Sequence, residues 1–437
     1  MNYSNRQAPK AGTLDEDFAD AGVFRLTLPA LGRQSHVGGI SSDSASTRLY
    51  FAGQAGSGVA DQAYVLGCLT LDGKLDPTFG NEGIASGAFT VRTESKGQSV
   101  ICLSDGKKLL LGTVAESRPA LARFTSAGVL DSTFGDQGYV ILRLPAGADE
   151  QTAKAASGSE QASLGSIVSL NDGKILVVYT YAITHGEDTQ AFLYLLNSDG
   201  SLDTSFNNKG YVQVLYPGAA PADVKVRNGL IDQDGKLVIC GALAPRSGTS
   251  GALAPRSGTS AALFARYLRD GSLDPQFGNN GFVIEPMSGS PVLECVIQQP
   301  NKRLLGIGKT GTEGLLISLE PDGEYNIQFN RGKPLLTRLE YASTYWSSGV
   351  MQPDGKIVLV GKYQQSDQPS PAVIGRMLSD GSFDSTFGNA GWVGTPFTGA
   401  LSFDSLALQA DGKIVVAGTY LKDSTNQGWV LRYHGRD

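Results

Sequence analysis

The sequence is poor in the residue types that most often carry chemistry. Among its 437 residues there are only three histidines, four cysteines and three tryptophans. So few histidines disfavour a histidine-based metal site or catalytic triad. The four cysteines, Cys68, Cys102, Cys240 and Cys295, lie in apolar strand-like segments without Cys-x-x-Cys spacing. We interpret them as free thiols that pack as small apolar side chains.

Recognised motifs of catalysis and cofactor binding are also missing. There is no Gly-x-Ser-x-Gly elbow, His-Glu-x-x-His pair, P-loop or dinucleotide-binding glycine motif. We therefore predict no cofactor and no metal, and we assign no catalytic residue. Residues 199–203 and 232–235 resemble a calcium loop only in part, because its ligand spacing and terminal Glu are absent. Whether calcium binds stays open at this point.

Long apolar runs and clusters of basic residues are absent as well. The apolar runs are strand-sized, so we predict no membrane span. The net charge is −6 and the pI is near 5.3, which disfavours nucleic acid as a partner. The first ten residues contain no apolar stretch and do not form a signal peptide. We expect a cytoplasmic monomer, or a protein exported by a route that the sequence does not reveal.

A repeated phrase is the strongest feature that the sequence does have. Leu-Asp-x-x-Phe followed by a Gly-containing turn starts at residues 14, 75, 130, 202 and 273, with a variant copy at 383 and a degenerate one at 325. Spacings of 52 to 72 residues indicate one structural unit repeated seven times. We assign residues 1–12 to a mobile lead-in and residues 13–437 to a single domain of seven repeats, each of about 60 residues.

Asp-Gly dipeptides between apolar runs divide each repeat into short strands. Such dipeptides predict type I′ hairpin turns, in which both central residues have positive φ. In the best copy, residues 346–401, we predict four strands, the second of which is apolar on both faces. A strand of that kind is expected between two neighbouring sheets. Four antiparallel strands in meander order form a propeller blade, so we predict an all-β fold, a seven-bladed β-propeller of four-stranded antiparallel blades.

The phase of the repeats predicts how the ring closes. The chain opens with a lone fourth strand at residues 23–28 and ends with a third strand at residues 429–433. The last repeat therefore lacks an outer strand, and the N-terminal segment can supply one. We predict that the ring is closed by the N-terminal strand joining the C-terminal blade.

The two alternating phrases resemble a known family. Leu-Asp-x-x-Phe-Gly-x-x-Gly, alternating with Asp-Gly-Lys followed by apolar residues and Gly, is similar to the bacterial delta-60 repeat β-propellers over nearly the whole chain. The resemblance implies a propeller fold. It implies little about activity, because the family is largely without an assigned activity. It implies export for many members, and this chain departs from them by lacking an evident export signal.

We interpret the repeated Asp and Phe residues as structural. A catalytic site needs a group once, whereas these residues recur in every repeat. Each Asp is expected to accept backbone N–H bonds in a tight turn, and each Phe to fill the space between blades. The set comprises Asp15, Phe18, Asp76, Phe79, Asp131, Phe134, Asp203, Phe206, Asp274, Phe277, Phe329, Asp384 and Phe387.

Binding is expected on the face opposite the repeated phrases. The first-to-second and third-to-fourth strand turns carry those phrases on one face, and the remaining connections form what we call the irregular face. Its long connections include residues 145–161 and 242–261, the latter within an exact ten-residue duplication at 241–260. Variable loops on a rigid scaffold commonly bind ligands. The candidate ligand-binding residues are Arg33, His36, Arg92, Glu94, Tyr181, His185, Tyr341, Tyr345, Trp346, Tyr363 and Tyr420.

Two classes of function follow from this pattern. The first is a non-enzymatic binding module that presents the irregular face to a glycan or a protein, with Tyr345 and Trp346 as stacking surfaces; Trp346 could instead pack between blades. The second is a hydrolase or lyase at the axial mouth of the same face, using Glu94 or Glu340 with His36. A structural role in a surface array is a third possibility. A His–carboxylate pair at the axis would favour the enzyme, and a flat or plugged axis would favour binding.

Overall fold

The computed structural model describes residues 10–43, 45, 47–58, 61–115, 118–145, 165–183, 188–217, 222–245, 260–364 and 371–436. His185, most of the 145–161 connection and most of the 241–260 duplication lie outside these ranges. Within them the strands form seven antiparallel sheets of four strands each, and no α-helix is present. The predicted all-β, seven-bladed propeller is confirmed.

Each blade is a meander whose four strands run in order from axis to rim. Blade 1 comprises β2 (Gln34–Ser42), β3 (Arg48–Gly56), β4 (Ala63–Thr70) and β5 (Ile84–Gly87). Blade 2 comprises β6 (Ser95–Cys102), β7 (Lys108–Val114), β8 (Arg118–Phe124) and β9 (Tyr139–Ile141). Blade 3 comprises β10 (Ser166–Ser169), β11 (Ile175–Ile183), β12 (Asp188–Leu196) and β13 (Tyr211–Gln213). Blade 4 comprises β14 (Ala222–Ile231), β15 (Leu237–Pro245), β16 (Ala261–Tyr267) and β17 (Phe282–Pro286).

The remaining blades follow the same order. Blade 5 comprises β18 (Val292–Gln298), β19 (Leu304–Thr310), β20 (Glu313–Leu319) and β21 (Leu335–Thr337). Blade 6 comprises β22 (Ser343–Met351), β23 (Ile357–Gln364), β24 (Ala372–Met377) and β25 (Trp392–Thr395). Blade 7 comprises β26 (Ala400–Leu408), β27 (Ile414–Lys422), β28 (Thr425–Tyr433) and β1 (Val23–Arg25).

The first strand of every blade lies at the axis. Each of these strands contacts the first strands of both neighbouring blades, so that seven first strands close a ring. The second strands are buried on both faces over most of their length; every residue of β7, for example, is buried. Because both faces contact other blades, most residues of the second strands are apolar. The core is therefore a series of apolar layers between blades.

The Asp-Gly turns differ from the predicted type I′ geometry. Gly106 has φ +84°, but Asp105 does not have a positive φ. The Gly106 N–H donates to the Leu103 carbonyl, and the Lys107 N–H donates to the Asp105 side chain. These bonds define a type I turn followed by a left-handed glycine. The Asp is favoured because its side chain closes the turn, and only the Gly position requires positive φ.

The Leu-Asp-x-x-Phe phrases form one repeated turn, as predicted. In blade 2, the Phe134 N–H donates to the Asp131 carbonyl, and the Thr133 N–H donates to the Asp131 side chain at 3.2 Å. The phenylalanines at the equivalent positions are all buried, with exposures of 0 or 1%. In every blade, the N–H after the Phe donates to a carbonyl of the next blade's outer turn, as Gly80 does to Ala127 at 2.7 Å. One phrase therefore folds a turn and joins two blades.

Each Asp of the phrase also pairs with a cationic side chain, which the sequence pattern did not predict. In blade 6, Asp384 bonds the Nε of Arg376 at 2.8 Å and contacts the Nζ of Lys356 at 3.0 Å. The buried Arg376 guanidinium lies over the Phe387 ring and donates to the Gly435 carbonyl in blade 7. Equivalent arginines in blades 2, 4 and 7 make the same contacts, and they are Arg123, Arg266 and Arg432. The lysine comes from the Asp-Gly-Lys turn, so the two repeated phrases are partners in a buried ion pair.

In blade 5 both members of this ion pair are replaced. Its Asp is replaced by Asn326, which donates to the Ser318 hydroxyl at 3.0 Å. Ser318 stands where blade 6 has Arg376, so the charge and its partner are both replaced by neutral groups. A neutral pair is compatible with this site because neither member is left as an unpaired buried charge.

Ring closure follows the prediction and extends beyond it. β1 pairs with β28, with Val23 opposite Leu431 and Arg25 opposite Trp429. The regular pairing covers residues 23–25, which is shorter than the predicted 23–28. The outer turn of blade 7 is built from both ends of the chain: Gly12 donates to the His434 carbonyl at 2.7 Å, and His434 donates to the Thr13 carbonyl at 2.9 Å. The six other blades make this turn with continuous chain.

The ordered packing begins before the predicted end of the lead-in. Ala11 is fully buried, and its carbonyl accepts the blade-to-blade hydrogen bond from Gly388 at 2.9 Å. Ala11 and Gly12 therefore occupy the places of Asp72 and Gly73 in the outer turn of blade 1. The boundary at residue 12 is corrected: residues 11 and 12 belong to the propeller.

Removal of the N-terminal segment should destabilise the whole ring. Deleting residues 1–28 removes β1, the buried Phe18 and half of the closing turn, and it leaves β28 with an unpaired edge. We expect insoluble protein or a strongly lowered melting temperature. Deleting residues 1–9 keeps β1, Phe18 and the closing turn, and it should leave the melting temperature unchanged. A soluble 29–437 protein with the wild-type melting temperature would contradict closure by the N-terminal strand.

The buried ion pair can be tested by reproducing blade 5 in blade 6. Arg376→Ser leaves the buried Asp384 with Lys356 as its remaining cationic partner, and it should cost about 2–4 kcal/mol of unfolding free energy at pH 7. Adding Asp384→Asn recreates the Asn326–Ser318 pair and should recover part of that loss. Urea denaturation measures both, with Arg33→Ser, at an exposed position, as the control. Additive effects of the two substitutions would show that the residues are not coupled.

The same ion pair predicts that the stability of the protein depends on pH in the acid range. Burial alone would raise the pKa of Asp384, but the Thr386 hydroxyl, Lys356 and Arg376 hold it below its usual value. The stability that the carboxylate confers is therefore complete above about pH 4, the unfolded pKa, and is lost as pH falls through the lower native pKa. The difference between the wild type and the double variant should shrink in that acid range.

Candidate functional site

Alternate residues of the first strands reach solvent near the axis. In β26, Leu401 and Phe403 are buried, whereas Ser402 and Asp404 are partly exposed. β2 and β22 show the same alternation. Because these strands form the innermost ring, their solvent-exposed side chains line the axial channel. The first strands begin at the irregular face, so this end of the channel is its axial mouth.

A β-bulge recurs at one level of the channel. Each first strand in six blades has a register shift that leaves one residue without a partner on the second strand. A bulge redirects a side chain and is common near functional sites. The bulged residues are Gly38, Gln98, Arg227, Glu294, Ser347 and Asp404.

His36 and Asp404 meet at this level from opposite ends of the chain. His36 Nε2 lies 3.7 Å from Asp404 Oδ2, and the two side chains are 35% and 39% exposed. Although both side chains reach the channel, the surrounding wall shields His36 from bulk water and, together with the charge of Lys96, lowers its pKa to about 4. The same shielding raises the pKa of Asp404 to about 7, although Lys362 opposes the shift. Around neutral pH, His36 is uncharged and Asp404 exchanges its proton, which is the behaviour of a general acid or base.

Two further ion pairs lie at the channel. Lys96 Nζ contacts Glu94 Oε1 at 2.5 Å within blade 2. Arg227 Nε lies 3.5 Å from Glu294 Oε2 and links the bulges of blades 4 and 5. These two cations are thereby neutralised by carboxylates of the same channel.

Two lysines near the ring of Tyr345 are not paired with carboxylates in this way. The Lys309 ammonium lies 5.2 Å from the centre of the Tyr345 ring, and the Lys362 ammonium lies 5.8 Å from it. In the described chain, neither ammonium forms a salt bridge with a carboxylate. The channel mouth therefore has a cationic side around Tyr345 and an acid–imidazole side around Asp404.

The structure places the predicted candidate residues in different environments. His36, Glu94 and Tyr345 lie at the channel. Arg33, Arg92 and Tyr341 are exposed on the surrounding loops, with Tyr341 92% exposed. Tyr363 and Tyr420 are only partly exposed, because Tyr363 packs against Trp392 and Tyr420 stacks on Trp429 with ring centres 4.0 Å apart. His185 lies outside the described residues.

Tyr181 and Trp346 are corrected as ligand-binding candidates. Tyr181 is 5% exposed and its hydroxyl lies 2.9 Å from the Tyr194 hydroxyl inside blade 3. Trp346 is 1% exposed, and its Nε1 donates to the Thr337 hydroxyl at 2.9 Å. Both large rings fill space within and between blades, and neither presents a surface to a ligand.

Several channel residues were not predicted from the sequence. These are Lys96, Arg227, Glu294, Lys309, Lys362 and Asp404. Two of them, Arg227 and Asp404, had a signal in the sequence. Like Gln98, each stands seven positions before the Asp of an Asp-Gly turn, and this position is the β-bulge of the first strand. Lys309 and Lys362 lie on second strands and had no comparable signal.

In the described part of the chain, no group of three or more His, Cys, Asp or Glu side chains is arranged to hold a metal ion. Among the same residues, no helix is long and apolar enough to cross a membrane. Cys68, Cys240 and Cys295 are buried free thiols and Cys102 is a partly exposed one.

Comparison with known proteins supports the fold. Five segments match a family described as a domain of unknown function (DUF5122) beta-propeller, at residues 103–134, 170–206, 233–277, 352–387 and 409–433. They correspond to blades 2, 3, 4, 6 and 7, each from its first Asp-Gly turn toward its third strand or the Phe beyond it. Blade 5, with its Asn326–Ser318 pair, is among the unmatched blades. The chain is therefore a β-propeller repeat protein.

Similar solved structures differ widely in what they do. Semaphorin 2a of Drosophila is 8% identical with a TM-score of 0.47, over 94% of this chain and 75% of its own. An α-L-arabinanase of Penicillium chrysogenum, complexed with arabinobiose, is 13% identical with a TM-score of 0.42, over 76% and 91%. A sialidase of Trypanosoma rangeli, in complex with sialic acid, is 10% identical with a TM-score of 0.38, over 97% and 58%. No curated protein matches the sequence. These likenesses carry no argument about function.

Asp404→Asn should stabilise the protein in a pH-dependent manner. The folded protein keeps the Asp404 proton up to about pH 7, whereas the unfolded chain releases it near pH 4. The wild type therefore loses stability as pH rises from about 4 to about 7, and the asparagine variant does not. Its melting temperature should exceed that of the wild type by an amount that grows over this range and is constant above it.

The control for this measurement is Asp17→Asn, at an exposed position. His36 titrates in both proteins, so its opposite contribution largely cancels in the comparison. Equal melting temperatures of the wild type and Asp404→Asn at pH 8 would contradict the raised pKa.

Proposed function

We propose that the protein is a binding module that takes a saccharide at the axial mouth of its irregular face. The observation that carries this proposal is the polar lining of the mouth by side chains from several blades, including His36, Glu94, Lys96, Tyr345 and Asp404. Sugars are recognised by charged and hydrogen-bonding groups set beside an aromatic ring. A protein partner would need a broad face with aromatic anchors, and Trp346 is not available as one.

The repeated phrases support a division of the molecule into a structural face and a binding face. Their buried ion pairs and blade-to-blade bonds lie in the turns of the opposite face, where they fix the blades. The delta-60 repeat propellers are the family that we propose for the chain, on the alternation of its two phrases. The export that this resemblance implies is compatible with an extracellular saccharide.

Saccharide binding can be tested on a glycan array followed by calorimetry. A bound glycan should bind Tyr345→Ala about tenfold more weakly, a loss of about 1.4 kcal/mol, because the ring and its two lysines form one side of the mouth. Lys209→Gln, at an exposed position near the opposite-face turns, is the control and should bind as the wild type does. The melting temperature of both variants should be nearly unchanged. A glycan whose affinity depends on the Asp-Gly turns and not on Tyr345 would overturn the proposal.

A hydrolase or lyase is the second candidate, and the His36–Asp404 contact favours it. A His–carboxylate pair at the axis is the arrangement that was expected to favour catalysis. Asp404, with its pKa near neutrality, is suited to donate or accept a proton. Glu94 is neutralised by Lys96, so it is less suited to proton transfer than Asp404.

A panel of glycoside substrates distinguishes the two candidates. For an enzyme, Asp404→Asn should abolish turnover while the substrate still binds. For a binding module, no substrate is converted by the wild type, and Asp404→Asn still binds the glycan. Turnover that survives Asp404→Asn would exclude this residue as the acid or base.

A further inference from the structure

Two lysines from neighbouring blades share one tyrosine ring at the axial mouth. Lys309 lies near the end of the second strand of blade 5, opposite Val292, and Lys362 lies directly opposite Tyr345 in blade 6. Their ammonium groups lie 5.2 and 5.8 Å from the centre of the Tyr345 ring. A cation is attracted to the face of an aromatic ring by about 0.5–1 kcal/mol at exposed sites. The ring therefore attracts both flexible side chains.

These two cations differ from the others at the channel. Lys96 and Arg227 are paired with Glu94 and Glu294. In the described part of the chain, no carboxylate forms a salt bridge with Lys309 or Lys362. Lys309 and Lys362 thus bring two positive charges from neighbouring blades to one tyrosine ring without a carboxylate partner in the described chain. Such a cationic surface favours a ligand that carries a negative charge.

Asp404 interacts electrostatically with Lys362, but it does not supply the negative charge that the two lysines lack. Its pKa of about 7 means that it is largely protonated, and therefore uncharged, in mildly acidic solution. Within the described ranges, no salt bridge joins it to Lys362 either. The cationic side of the mouth is thus complementary to a ligand that brings its own negative charge.

We infer that Lys309, Lys362 and Tyr345 bind the anionic group, a carboxylate or a sulfate, of an acidic saccharide. This inference rests on the proposed function and adds the class of sugar. The two ammonium groups bind the anionic group, and the partly exposed Ser347 and Ser402 lie on the neighbouring first strands, where sugar hydroxyls can be bonded. Tyr345 is a positioning residue for the lysines as well as a surface for the ring of the sugar.

The test compares charged and neutral sugars of the same size. Calorimetry measures the binding of a galacturonic acid trisaccharide, a sulfated galactose trisaccharide and an uncharged galactose trisaccharide. We expect one of the two charged sugars to bind at least tenfold more tightly than the neutral one, and its affinity to fall with added salt. The charged sugar that binds more tightly identifies the anionic group.

Variants of the two lysines locate the site. Lys309→Gln and Lys362→Gln should each weaken binding of the charged sugar about three- to tenfold and leave binding of the neutral sugar unchanged. Lys309→Arg and Lys362→Arg keep the charge and should retain most of the affinity. Lys209→Gln removes one charge elsewhere and should have no effect. Melting temperatures establish that each variant is folded.

The outcomes separate this inference from the proposed function. If the neutral sugar binds as tightly as the charged ones, and the lysine variants bind as the wild type does, the acidic class is wrong while saccharide binding stands. If no sugar binds in these assays or on the array, both are wrong. Weakening by Lys209→Gln equal to that by the two channel variants would show a non-specific charge effect and would also overturn the inference.

Discussion

The buried carboxylate of the Leu-Asp phrase is the group on which most of the scaffold depends. In blade 6, Asp384 accepts a backbone N–H of its own turn, Arg376 from the third strand and Lys356 from the first turn. Arg376 in turn covers Phe387 and reaches a carbonyl of the next blade. Removing the carboxylate from such a network leaves the buried Arg376 without its acidic partner, which is costly. This requirement explains why Asp-Gly-Lys and Leu-Asp-x-x-Phe recur together.

Confining these contacts to one face leaves the other face free to vary. The blades are held by turns and by the Phe layer, so the irregular face can vary in its loops without loss of the fold. The first strands connect the two faces, and their bulges interrupt the regular pairing inside the channel. Arg227, Glu294 and Asp404 are presented there by bulges. A local irregularity in an otherwise repetitive ring thus supplies several of the charged groups of the candidate site.

The chemistry of the mouth divides into two sides. On one side, a neutral His36 faces a carboxyl group that titrates near pH 7. On the other, the ammonium groups of Lys309 and Lys362 lie near the ring of Tyr345. In the proposed functions, proton transfer would use the first side and anion recognition the second, and the proposed saccharide would contact both. Binding and catalysis are therefore separable by substitution at Asp404 and at the lysines.

The sequence by itself determined the repetitive part of this protein, and only the tertiary structure decided the site. Blade number, the burial of Phe18 and its equivalents, and closure by β1 were predictable, because periodicity and strand phase are local and recur many times. The Ala11–Gly12 turn was missed because its two halves come from opposite ends of the chain. Trp346 could not be assigned from local pattern, since its burial depends on Thr337 and the neighbouring blade. The His36–Asp404 contact arises only when closure of the ring brings the first and last blades together, and the shared ring of Tyr345 arises only when blades 5 and 6 pack side by side.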